Sequence, residues 1–278
     1  MSSLRDSLRA VFKYLIGLRG YVHFTELNQH WPASSGSAKD LASLTLLSSE
    51  QTFPLLEALL NDQRRQVVQP ITFTAFAEAS RTSRSARTLG SLFEQYGSDK
   101  STRHNYHWVY GDLLDGRRDA PLRLLEVGMG TNHADVASHM GAAGRPGASL
   151  RAFRDFLPNA QIVGADIDRR ILFEEDRITS FYVDQTSMES FAALGVAVGS
   201  EPFDLIIDDG LHSPNANLAT LRFALAHLRP GGTVVIEDIP ERSLPIWTAV
   251  SAMLSSRGAI RIVTAPDGCL FVLTTYDE

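Results

Sequence analysis

Two apolar runs in this chain end on paired carboxylates. Phe203-Asp204-Leu205-Ile206-Ile207 leads into Asp208-Asp209-Gly210, with His212 just beyond, and Thr233-Val234-Val235-Ile236 leads into Glu237-Asp238. Short runs rich in Ile and Val read as buried parallel strands, and the C-terminal ends of such strands meet at the rim where open α/β sheets bind ligands. Carboxylates gathered there repel one another unless a cation lies between them, and oxygen-only ligands suit a hard ion such as Mg²⁺. His212 adds a group able to accept a proton near neutral pH. The combination predicts a metal site with a base beside it.

Three further strand ends carry different chemistry. Glu126-Val127-Gly128-Met129-Gly130 closes one apolar run, and its glycines permit a tight turn and close approach of a ligand to the backbone. The next run ends Gly164-Ala165-Asp166-Ile167-Asp168, which sets a carboxylate where ribose hydroxyls would donate. A third ends Val183-Asp184-Gln185, suited to an adenine edge. A single glycine turn is a weak signal, since a βα turn can also lack a ligand; three successive strand ends of suitable type form a nucleotide-like site.

The elements that must position these groups follow from periodicity. Strands are predicted at Leu122–Val127, Gln161–Ala165, Thr179–Val183, Phe203–Asp208, Thr233–Glu237, Ala259–Thr264 and Cys269–Thr275, the last two joined by the turn at Ala265–Gly268. Leu218, Leu221, Leu225 and Leu228 mark the buried face of a helix that stops at Arg229-Pro230-Gly231-Gly232. Strand–helix alternation implies a Rossmann-like, doubly wound α/β fold: a mostly parallel seven-stranded sheet whose last strand runs antiparallel.

Residues 1–90 show no such alternation. Helical patches at Leu41–Leu47 and Phe53–Leu60 follow a loop from Trp31 to Ser37, and Ser80–Ser91 reads as a linker or exposed turn. A small helical appendage is expected there, serving as lid, dimerisation arm or pocket wall, before a catalytic domain over 91–278. Leu4, Leu8, Val11, Leu15 and Leu18 recur at helical spacing near the N-terminus, which resembles an amphipathic helix more than a transit peptide. The net charge of −6 without a basic run gives no sign of a nucleic-acid partner, and no stretch is long and apolar enough for a membrane span. The lone Cys269 excludes an intrachain disulfide and reads as inert core; a cytoplasmic protein is expected.

The motifs together resemble class I S-adenosylmethionine-dependent methyltransferases over roughly residues 93–275, and among them the Mg²⁺-dependent sugar O-methyltransferases of macrolide biosynthesis. Tyr96-Gly97-Ser98-Asp99-Lys100, followed by His104, Tyr106 and Tyr110, resembles the segment before that family's first strand. The resemblance implies metal ligation by Asp209, Glu237 and Asp238, with His212 as the base. It implies S-adenosylmethionine at Glu126, Gly128, Gly130, Ser149, Asp166, Asp184, Gln185 and Asp208. The family's glycine turn leads directly into a helix start. Here residues 131–146 intervene, and Ser149 is expected to cap a helix over Leu150–Leu157.

The implied reaction is methyl transfer to a hydroxyl of a sugar or glycosylated natural product, by a homo-oligomer acting on a small-molecule acceptor. Two other readings stay open: a non-sugar acceptor (a phenol, a polyketide hydroxyl or a capsular glycan), and a non-catalytic assembly subunit on the same fold. Several residues have plainer readings. Asp208 can serve backbone hydrogen bonds, Asp99 and Lys100 can form a solvated turn, and His104 and His107 can line a pocket or pack. His133 and His139 read as polar loop residues, and Trp108 and Trp247 as core.

Overall fold

The computed structural model describes residues 38–60, 68, 70–80, 83–265 and 267–277. The expected N-terminal amphipathic helix and the loop from Trp31 lie outside these residues.

The strands are β1 (Ile71–Thr72), β2 (Arg123–Val127), β3 (Gln161–Asp166), β4 (Glu174–Glu175), β5 (Ile178–Tyr182), β6 (Phe203–Asp208), β7 (Leu228–Ile239), β8 (Gly258–Ala265) and β9 (Gly268–Thr275). They form one sheet in the order β1-β8-β9-β7-β6-β2-β3-β5-β4. β5, β3, β2, β6 and β7 run parallel, and β9 lies antiparallel between β7 and β8. The doubly wound class is as predicted. The two strands beyond the predicted seven are β1 and β4, edge pairs of two residues each, too short to carry a periodic signal. The central strands are apolar on both faces. Leu125, Ile206 and Val234 point into one core and Leu124, Ile207 and Val235 into the other. The uninterrupted Ile/Val runs follow from that double burial.

The predicted linker at Ser80–Ser91 is overturned. From Arg84 it is helical, because Ser83 caps the helix Arg84–Tyr96 by accepting from the Ala86 amide, and Leu89 and Phe93 bury its apolar stripe. Polar residues there cover the exposed face of an amphipathic helix rather than a connection. The two N-terminal helical patches form one helix, α1 (Ala38–Leu60). Ser48 and Thr52 between them are buried, and Gln51 donates to the Thr186 carbonyl and accepts from Asn215. The expected cap at Ser149 is also corrected. Gly147, in the left-handed region, precedes a helix over Ala148–Phe156, and the Ser149 hydroxyl donates to Glu126 instead. Among the described residues no helix is long and apolar enough to cross a membrane.

Candidate active site

The carboxyl ends of β3, β2, β6 and β7 form a continuous rim divided between two concavities. The smaller, about 170 Å³, is lined by Val127, Gly128, Asp166, Ile167, Asp184 and Gln185, among others. The larger, about 710 Å³, reaches Asp209, His212, Glu237 and Asp238. Gly130, Ser138 and Asp209 line both.

In the smaller pocket the backbone shapes the wall. Gly128 has φ 95°, and a Cβ there would overlap the Asp209 carbonyl oxygen. The glycine is therefore required by the close approach of the β2 and β6 ends. Asp166 accepts from the Met129 and Asp168 amides, both at 2.8 Å; burial pushes its carboxyl above the usual range. Each carboxylate oxygen retains a second lone pair that can accept from a ligand hydroxyl. Asp184 uses Oδ1 for the Thr186 amide and hydroxyl. Val127, Ile167, Val183 and Leu211 supply apolar surface, and Leu44 of α1 adds a wall from outside the sheet.

Three other residues assigned to the cofactor by sequence use polar atoms within the protein. Gln185 lines the pocket, but its amide nitrogen donates to Asp208 and Thr220 and its oxygen accepts from the Leu211 amide. Asp208 is fully buried and accepts from Gln185 and Asn217, so it braces the end of β6. Glu126 is fully buried against Ser149 and Lys100.

The larger cavity opens onto the acidic cluster. His212 Nε2 lies 3.9 Å from Asp209 Oδ1 and 3.8 Å from Asp238 Oδ2, and the three residues together could hold a metal ion. His212 and Asp238 both adopt left-handed backbone, φ 55° and 51°, unusual for non-glycine residues. Such strain clusters at functional sites because it aims side chains that a relaxed backbone would direct elsewhere. His104 sits 3.5 Å from both Asp99 and Asp238. Burial opposes its charge, but the hydrogen bond to Asp99 and the Asp238 charge outweigh it and raise the imidazole above its usual range. Burial likewise favours protonation of Asp238; His212, His104 and the Tyr106 hydroxyl outweigh it and hold the carboxyl low.

Glu237, also expected as a metal ligand, borders the larger cavity, but both of its oxygens are engaged by buried partners. Lys100 Nζ approaches Glu237 Oε2 and Asp209 Oδ2 at 2.5 Å and Glu126 Oε1 at 3.2 Å, and the Tyr110 hydroxyl donates to Glu237 Oε1. Burial works against the Lys100 charge, yet the Asp209, Glu237 and Glu126 carboxylates hold the ammonium well above its usual range. Burial also drives Glu237 and Glu126 upward. Lys100 is thus no surface turn, although the Tyr96–Lys100 motif did mark its segment.

The inserted stretch 131–146 is irregular and pinned to the rim. The Met140 amide donates to Thr131, and the Ser138 hydroxyl donates to Gly210. Ser138, His139, Met140 and Arg145 line the larger cavity, so the insertion forms its wall. His133, read as a loop residue, contacts Asp168 at 2.8 Å.

A family model described as a methyltransferase domain matches residues 125–239. Mycinamicin VI 2''-O-methyltransferase of Micromonospora griseorubida is 37% identical over 148 residues, 51% of this chain and 32% of that protein. Demethylmacrocin O-methyltransferase of Streptomyces fradiae is 37% identical over 148 residues, 51% of this chain and 33% of its own length. A tetracenomycin-C rhamnosyl 2'-O-methyltransferase of Streptomyces olivaceus is 30% identical over 159 residues, 57% of this chain and 39% of that one. The chain spans about a third of the length of these relatives. Among solved structures, the MycE methyltransferase of the mycinamycin pathway, in complex with Mg, SAH and mycinamycin VI, superposes with TM-score 0.53 at 25% identity. That match covers 70% of this chain and 56% of MycE.

Proposed function

We propose that this chain, which resembles the Mg²⁺-dependent macrolide-sugar O-methyltransferases, moves the methyl group of S-adenosylmethionine to a hydroxyl of a sugar or glycosylated natural product. The observation that carries the reading is the junction of the two concavities at Asp209, with His212 and Asp238 on the acceptor side. A methyl donor on one side and an acceptor on the other would meet at a metal-binding set with a base in reach.

The residues fit both groups. Asp166 and Asp184 would accept from a ribose and its nucleoside, with Ile167 and Leu44 supplying apolar contact. Asp209 and Asp238 would hold a hard cation through oxygen, joined by Glu237 if Lys100 releases it. The bound cofactors supply an electrophilic methyl and a Lewis acid that lowers the acceptor hydroxyl's pKa. His212 Nε2 faces the cavity and takes the hydroxyl proton, while Asp209 and Asp238 stabilise the imidazolium that results. Because a sulfonium methyl donor would give up its charge on transfer, the rim residues would contribute by orienting the two partners more than by electrostatic stabilisation.

The size of the acceptor cavity, about 710 Å³, favours a glycoside over a simple phenol. The lone, buried and unpaired Cys269 fits a cytoplasmic enzyme. The test is a methyl-transfer screen over hydroxylated sugars, glycosides and phenols, with Mg²⁺ and with EDTA. Glycoside methylation that stops in EDTA and returns with Mg²⁺ is expected. Full activity in EDTA would remove the metal from the reaction, and turnover of phenols alone would reassign the acceptor.

A further inference from the structure

Lys100 has no role in the transfer step, yet it occupies the centre of the acidic cluster. Its ammonium is buried at the carboxyl ends of three adjacent strands, β7, β6 and β2, and faces Glu237, Asp209 and Glu126. The ammonium donates hydrogen bonds to Asp209 and Glu237, and the Glu126 carboxylate lies 3.2 Å away as a third ion-pair partner. The Lys100 side chain and its Glu126 and Glu237 partners are buried, so solvent screens those two contacts little, while Asp209 is partly exposed on the cavity side. Among the described residues, no other lysine or arginine pairs with Glu126 or Glu237. Packing these carboxylates ionised without a cation would be costly, because burial strips each of its hydration. Asp238 is braced separately by the Tyr106 hydroxyl and turns Oδ2 toward His212.

We propose that Lys100 is the resident cation of the metal-free site: its ammonium holds Asp209 and Glu237 in place and yields Glu237 when a divalent ion enters. The inference rests on the metal-dependent reading above. The geometry favours exchange over simple coexistence. The ammonium already occupies Asp209 Oδ2 and Glu237 Oε2, while Asp209 Oδ1 and Asp238 Oδ2 face the cavity. An incoming cation would therefore meet Asp209 and Asp238 first. It would also meet a like charge just behind them, and the flexible four-carbon stem of lysine allows that charge to retreat. Tyr110 retains the other oxygen of Glu237, so the carboxylate stays in register during the exchange.

The test compares Lys100→Met and Lys100→Arg with the unsubstituted chain. Thermal melts are recorded in EDTA and across a Mg²⁺ series, and Mg²⁺ binding is measured by calorimetry. Lys100→Met keeps the length but removes the charge. It is expected to melt several degrees lower in EDTA, to gain more from Mg²⁺ than the unsubstituted chain, and to bind Mg²⁺ roughly tenfold or more tightly once a like charge is gone. Lys100→Arg should stay near the unsubstituted melting temperature in EDTA. An unchanged melt of Lys100→Met in EDTA, or weaker Mg²⁺ binding, overturns the proposal. If Lys100→Met folds only with Mg²⁺ and unfolds when EDTA is added, the proposal stands; if it stays unfolded in saturating Mg²⁺, the proposal falls. Uptake of Mg²⁺ by Lys100→Met alone would keep the lysine's role and refute metal dependence of the unsubstituted chain. No uptake by either chain would overturn both.

Discussion

The two halves of the carboxyl rim treat buried carboxylates in opposite ways. On the nucleotide-like half, Asp166 is satisfied by the Met129 and Asp168 amides, so its negative charge rests on fixed backbone dipoles. On the acidic half, Asp209 and Glu237 look to a side-chain cation, Lys100, and Asp238 to hydroxyl and imidazole groups. A backbone donor cannot be displaced without unfolding the turn that presents it. A lysine can move. The first half is suited to gripping one ligand in one orientation, and the second to exchanging cations and shifting protons.

Breaking the acidic half alone should have the largest effect. His212→Ala is expected to lower the methyl-transfer rate roughly 10²–10⁴-fold, the usual range for a lost general base. Donor affinity measured by calorimetry should remain, since His212 does not line the smaller pocket. The residual rate should climb with pH as hydroxide replaces the base. Loss of metal binding in this variant would instead make His212 a ligand.

Breaking the nucleotide-like half alone should show in affinity rather than rate. Asp166→Asn keeps one acceptor oxygen for the backbone but surrenders the charge. S-adenosylhomocysteine binding should weaken by about 1–3 kcal/mol, or roughly 5- to 150-fold, with Mg²⁺ binding unaffected. Gly128→Ala tests the seam between the halves. The added methyl would overlap the Asp209 carbonyl oxygen, and the backbone there has φ 95°. Donor affinity and metal affinity should fall together, and the melting temperature with them, for a strain on the order of 1–3 kcal/mol. A change in only one affinity would separate the two halves.

The smaller effects sharpen the picture. Leu44→Ala trims the wall contributed by α1 and should cost donor affinity about 1 kcal/mol without altering metal binding. Cys269 serves as a reference beyond both halves. Burial pushes its thiol up to about 11, against about 8.5 unfolded. Because the folded value is raised, the native state keeps the proton that the unfolded chain loses. The stability from this group is therefore fully present below about pH 8.5 and lost as pH rises toward 11. Iodoacetamide at pH 8 should label the denatured chain quickly and the native chain hardly at all.

Much of this site is legible in a linear reading because strand chemistry is local. An apolar run and the acid that ends it are neighbours in the chain, so Asp166, Asp209, Glu237 and Asp238 can be assigned to one rim from pattern alone. A linear reading does not show which distant groups a strand-end residue pairs with. Glu126, Gln185 and Asp208 have the right types at the right strand ends, and Ser149 lies in the first turn of a helix, yet their polar atoms pair with one another and with Lys100, Thr220 and Asn217. The short edge strands β1 and β4 carry no periodicity, and the Arg- and Ser-rich start of the Arg84–Tyr96 helix resembles a linker until its buried stripe is in view.

The class of fold, the five acidic strand ends and the histidine three residues after Asp209 are legible in the linear chain, because each is written within a few residues. Which carboxylates are neutralised, and by what, depends on contacts between distant segments. Lys100 lies 109 residues from Asp209 and 137 from Glu237, and Tyr110 lies 127 from Glu237. No local pattern links such positions. The sheet order brings β7, β6 and β2 side by side beneath the segment that carries Lys100, and that juxtaposition sets which acids face a cation inside the chain and which face the cavity.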